Sequence, residues 1–138
     1  MNDASQITRE GWQPLLMGEF SEFVGPFLWR RGEKGNIFAF QADARHANIN
    51  GVVHGGMLVT FADQAFGSTV YEAVGKRKCA TAQLNTHFIG AVKPGDFLEC
   101  DAEVVRITRS LVFMRGMLRI EDRPVLAADG VWKILGTP

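Results

Sequence analysis

The feature that most constrains this chain is the run from Met57 to Val74. It holds no proline and one glycine, Gly67, and apolar residues at Met57, Leu58, Val59, Phe61, Ala62, Ala65, Phe66, Val70, Tyr71 and Val74 cover most of a helical circumference. A helix apolar nearly all round is buried, so the rest of the chain has to wrap it. At 1.5 Å per residue it is about 27 Å long. Two things break its pattern. It opens straight after a His54-Gly55-Gly56 turn, and it carries a carboxylate, Asp63, a group that is costly to bury without partners.

The wrapping material is mostly β. Residues 27–31 and 36–42 read as two strands joined by the "RRGEKG" turn. Beyond Gly75 and the basic cluster Lys76, Arg77 and Lys78, long runs at 79–89, 96–108, 110–121 and 124–135 are separated by "KPGD", "TRS" and "EDRP". Alternation is clear in places: Leu98, Cys100, Ala102 and Val104 oppose Glu99, Asp101 and Glu103. Likewise Val112, Met114, Gly116, Leu118 and Ile120 oppose Arg115 and Arg119. Short connections between such runs predict an antiparallel meander. Residues 5–17 read as a short amphipathic helix, capped by Ser5 or Thr8 and apolar at Trp12, Leu15 and Leu16, within an N-terminal helical extension over 1–25. At 138 residues the chain is one domain. The expected class is α+β, with a long central helix wrapped by a curved antiparallel sheet, which is a hotdog architecture.

Charge and cysteine usage exclude several functions. Lys+Arg and Asp+Glu are equal at 15 each, so no strong field points to nucleic acid or an anionic membrane. The opening segment, with its acids and no long apolar run, does not read as a signal peptide, and no run approaches the ~18 apolar residues of a membrane span. Cys79 and Cys100 form no C-x-x-C and are expected to be free thiols in a reducing, cytoplasmic setting. Three scattered histidines make no zinc site. The glycines match neither a dinucleotide fingerprint nor a phosphate-binding loop.

The helix start is the place for chemistry. Its free backbone N–H groups and the positive end of the helix dipole fit a donor site for a carbonyl oxygen that gains charge, although a plain tight turn is an equal reading. Asp63 is either a carboxylate satisfied by its neighbours, with Thr60 one turn earlier as a candidate, or a base or nucleophile in a dry site. Gly55 and Asp63 are eight residues apart, roughly 12 Å along one helix, so both cannot reach one carbonyl carbon from the same chain. If they act together, the site is shared between two antiparallel copies. On simple alternation Thr81, Gln83, Asn85 and His87 share one strand face, and Ala80, Ala82, Leu84, Thr86 and Phe88 take the other.

The pattern N-x5-HGG-x7-D from Asn48 to Asp63, followed by "LNTHFIGAVKPGD", resembles the hotdog-fold acyl-CoA thioesterases. The subgroup it resembles is that of phenylacetate degradation, within the 4-hydroxybenzoyl-CoA thioesterase-like superfamily. The likeness runs from about residue 36 to 133. It implies hydrolysis of acyl-CoA thioesters, with Asp63 as catalytic carboxylate, Gly55 as the N–H donor to the thioester oxygen, and Asn48 and His54 orienting carbonyl or water. It also implies that Thr81 helps hold the water, and that segments Phe88 to Lys93 and Arg106 to Leu111 line the CoA channel. Of these, Arg106, Thr108, Arg109 and Ser110 flank a turn whose guanidinium and hydroxyl groups suit phosphates. No cofactor is implied beyond the CoA of the substrate, and the family's assembly implies a homodimer at least, with a dimer of dimers as the expected form. Two alternatives stand beside this reading: a hotdog dehydratase or hydratase, which would need a His–carboxylate pair, and an acyl-CoA-binding sensor without turnover.

Overall fold

The computed structural model describes residues 11–136. Its centre is helix α2, Gly55–Ala73, with Met57, Leu58, Phe61, Ala62, Ala65, Phe66 and Val70 buried. The helix stops in a paired-hydrogen-bond cap: the Lys76 N–H reaches Tyr71 O at 2.8 Å and the Gly75 N–H reaches Glu72 O at 3.3 Å. Gly75 supplies the positive φ, 71°, that this ending requires.

Seven strands surround the helix: β1 (Gln13–Leu15), β2 (Phe27–Gly32), β3 (Gly35–Gln41), β4 (Cys79–Phe88), β5 (Phe97–Ile107), β6 (Leu111–Ile120) and β7 (Arg123–Ile134). They form one sheet in the order β1-β2-β3-β5-β6-β7-β4. Every pairing is antiparallel. The hotdog arrangement expected from the sequence is present, and six of the strands and the central helix lie within a few residues of their predicted positions. The alternation in β5 and β6 is also as read. Arg115 and Arg119 stand on the outer face, paired with Glu103, Asp101 and Glu99 at 2.9–3.0 Å.

Three expectations change. Ser5 and Thr8 lie outside the described residues, and the described part of the expected helix is strand β1, which pairs with Phe27, Leu28 and Trp29 of β2. The helix of this region is α1, Glu19–Val24. The spacing of Trp12, Leu15 and Leu16 suits a helical face, but pairing with the edge of β2 decides the local structure. Secondly, β4 is not the neighbour of β5. The "KPGD" turn carries the chain across the sheet, and β4 joins the far edge against β7. Thirdly, the simple alternation of β4 fails at its start. Thr81 pairs with Trp132 and Gln83 with Val131, so a β-bulge at Ala82 absorbs one residue. Directly paired residues share a face, so Thr81 points inward with buried Trp132 while Gln83, Asn85 and His87 point outward.

Packing fixes the neighbours of the site. Phe27, Phe40 and Phe61 cluster with ring centroids 5.6–5.7 Å apart. Phe66 meets Trp132 at 5.8 Å. Two sheet glycines make room for these rings: a Cβ on Gly116 would lie 2.7 Å from Phe66, and one on Gly130 2.8 Å from Trp132. The loop into α2 is held as firmly. His46 is buried against Phe40, accepts the Asp43 N–H at its Nδ1 and donates from Nε2 to Val24 O at 2.6 Å. Arg45 donates to Phe23 O and Gly25 O, covering the carbonyl end of α1.

Candidate active site

Asp63 lies at the start of the third turn of α2, half-buried. Its partner is not Thr60, whose hydroxyl donates to Gly56 O at 2.9 Å. It is Thr81, whose Oγ1–H donates to Asp63 Oδ1 at 2.6 Å. That distance is in the range of a charge-assisted O–H···O⁻ bond. The bulge at Ala82 makes it possible by turning Thr81 towards the helix. One carboxylate oxygen and the lone pairs of Thr81 Oγ1 are left facing a cleft of about 860 Å³. Leu15, Met17, Trp29, Phe38, Tyr71 and Trp132 give this cleft apolar walls. Cys79 lines it too, and partial burial raises its thiol above the usual range. Cys100 is wholly buried and far from thiolate chemistry. Both cysteines are free, as expected.

The helix start is a separate place. His54 is the N-cap: its Nδ1 accepts the Gly56 N–H at 3.0 Å, and its backbone O accepts from Met57 at 2.9 Å. The Gly55 N–H meets no acceptor among the described residues, so it is the free donor of this terminus. Phe88 stands against it. A Cβ on Gly55 would lie 3.0 Å from the Phe88 ring, and that ring is otherwise 58% exposed. Asn48 closes the preceding turn, its Oδ1 accepting from Asn50 at 2.8 Å and Val52 at 3.4 Å. Its side-chain oxygen is thus committed to the loop that aims the helix, as the His54 ring is committed to the cap.

Within one chain the predicted residues therefore form two groups. Thr81 pairs with Trp132 near one end of the sheet, and Phe88 pairs with Leu126 near the other. The distance between them along β4 is roughly 20 Å. Gly55 and Phe88 belong to the second end, and Asp63 and Thr81 to the first. Arg106, Thr108, Arg109 and Ser110 surround the β5–β6 turn at the Asp63 end, because Lys133 pairs with both Ala80 and Leu111. Thr108 uses its hydroxyl to close that turn, donating to Leu111 O at 3.1 Å and accepting the Leu111 N–H at 3.0 Å. Lys93 opens the crossover turn, its N–H bound to Asp96 Oδ2 at 2.8 Å. Sequence reasoning missed Trp132 and Gly67 as cleft residues. A mid-helix glycine was the visible signal for one of them.

The family model of the thioesterase superfamily matches residues 50–127, a span holding Gly55, Asp63, Thr81 and the β5–β6 turn. Over 128 residues the chain is 30% identical to PA0474 of Pseudomonas aeruginosa, a protein provisionally named an esterase, and the match covers 91% of this chain and 96% of that one. A variant of the phenylacetic acid degradation protein PaaI from Thermus thermophilus has a solved structure with TM-score 0.75 at 22% identity, covering 84% of this chain and 98% of the other. A hypothetical thioesterase of Streptococcus pneumoniae, solved with coenzyme A, gives 0.69 at 23% identity, covering 93% and 91%. At these identities the two structures speak for a shared fold.

Proposed function

This chain belongs to the thioesterase superfamily and is a thioester hydrolase; from that premise we propose that it hydrolyses acyl-CoA thioesters to the free acid and CoA. The observation that carries the reading is the Thr81–Asp63 hydrogen bond at the mouth of an apolar cleft. A water there would donate one hydrogen bond to the free oxygen of Asp63 and the other to a lone pair of Thr81 Oγ1. Asp63 takes its proton, the oxygen attacks the thioester carbon, and CoA leaves as a thiolate that needs little protonation. The carbonyl oxygen gains charge in this step and requires a donor. The Gly55 N–H suits that role, and since it lies about 12 Å from Asp63 on the same helix, it comes from a second copy.

The assembly follows from that distance. Two chains related by a two-fold axis with α2 antiparallel would bring Gly55 and Phe88 of one copy to Asp63 and Thr81 of the other. Lys93 would then approach the Arg106–Ser110 turn across the interface, giving CoA phosphates both cationic sides. The homodimer is the smallest active unit, and a dimer of dimers its expected form. A dehydratase is disfavoured because the His54 ring is committed to the cap of α2, its Nδ1 accepting the Gly56 N–H at 3.0 Å.

The test is thiol release from a panel of acyl-CoAs by wild type and Asp63→Asn. The substitution keeps the shape and removes the base, so turnover should fall by at least ~10², with acyl-CoA binding retained and melting temperature unchanged or higher. A variant that melts much lower but keeps its rate would make Asp63 scaffold. A wild type that binds acyl-CoA without releasing thiol would be a sensor.

A further inference from the structure

Gly67 has no structural justification in its own chain. Glycine is a weaker helix former than alanine, and Gly67 sits inside α2 without a left-handed φ. A Cβ there would meet only Trp132 Nε1, at 3.7 Å, an ordinary contact. Alanine would fit and strengthen the helix. What glycine leaves is space in the cleft wall, one turn beyond Asp63 and on the same face of the helix. Beside that space lies a donor. The Trp132 ring is otherwise buried, but it borders the cleft next to Gly67, and its indole N–H meets no acceptor among the described residues, which leaves it available to a ligand. Gly130 lets the ring lie where it does, so two glycines and one tryptophan shape a single spot.

We propose that Gly67 and Trp132 determine acyl specificity, the acyl group passing from Asp63 over Gly67 and accepting a hydrogen bond there from Trp132 Nε1–H. The substrate class is an acyl group with a neutral oxygen acceptor (keto, hydroxyl or ether) about 6 Å from the thioester carbon, the distance of one helical turn between positions 63 and 67. This assignment rests on the acyl-CoA reading and refines it.

The experiment compares acetyl-CoA, hexanoyl-CoA and 5-oxohexanoyl-CoA on wild type, Gly67→Ala and Trp132→Phe by thiol release. Wild type should prefer the oxo substrate to hexanoyl-CoA by about three- to tenfold in kcat/KM, and Trp132→Phe should abolish that preference. Gly67→Ala should melt no lower than wild type and lose about tenfold or more on both six-carbon substrates relative to acetyl-CoA. Equal losses on all three substrates, unchanged six-carbon rates, or a changed oligomeric state in Gly67→Ala would each overturn the proposal. So would a wild type indifferent to the oxo group. Failure of wild type to hydrolyse any of the three overturns the acyl-CoA reading itself, and this inference with it.

Discussion

A hydroxyl 2.6 Å from a carboxylate oxygen both orients it and competes for its charge. For Asp63 the orienting effect matters more, because only one oxygen is engaged and the other is left in a fixed direction. Thr81→Val removes the hydroxyl and keeps the shape. Turnover should fall about 10- to 100-fold, the scale of a hydrogen bond to a charged group, and Thr81→Ser should restore most of it. Equal rates for the valine and serine variants would make the hydroxyl incidental. The residue identities of this pair were legible in the sequence, Asp63 as an anomaly in an apolar helix and Thr81 through resemblance. Their contact was not. Strict alternation put Thr81 beside Gln83, and nothing in the run "CATAQ" marks Ala82 as the extra residue.

At the scale of elements, α2 and the β5–β6 hairpin were readable because both carry their burial in a period that matches their structure. The N-terminal segment was not, because its apolar spacing is compatible with a helix while an available sheet edge favours a strand. The start of α2 gives the sharpest test. Gly55→Pro removes an N–H that has no acceptor among the described residues, at a position where proline is tolerated. His54, at φ −58° and ψ 133°, already has the extended conformation that a following proline demands. The exposed Phe88 ring would have to give by a few tenths of an ångström. The variant should fold normally and lose about 2.7–4 kcal/mol of transition-state stabilisation, the scale of one missing oxyanion donor. Wild-type turnover in a folded Gly55→Pro protein would reduce Gly55 to a turn residue.

For the whole molecule, the position of β4 decides most. It is an edge strand of ten residues whose outer side pairs with nothing among the described residues, and such edges are normally covered. A second copy laid antiparallel along it would cover it and complete the site. Mixing Asp63→Asn chains with Gly55→Pro chains, each inactive alone, should therefore recover part of the activity, since one site of each hybrid is intact. Recovery no greater than the sum of the two parents, or a fully active monomer in sedimentation, would sink the shared site. The same position governs the order of assembly. Among the described residues β4 pairs only with β7, so its partner lies beyond the whole β5–β6 hairpin in the chain. Closing that interval carries the entropy cost of a long-range contact. Thr81 is aimed at Asp63 by that pairing and by nothing earlier. The Thr81–Asp63 contact therefore depends on a pairing that only the C-terminal strand supplies.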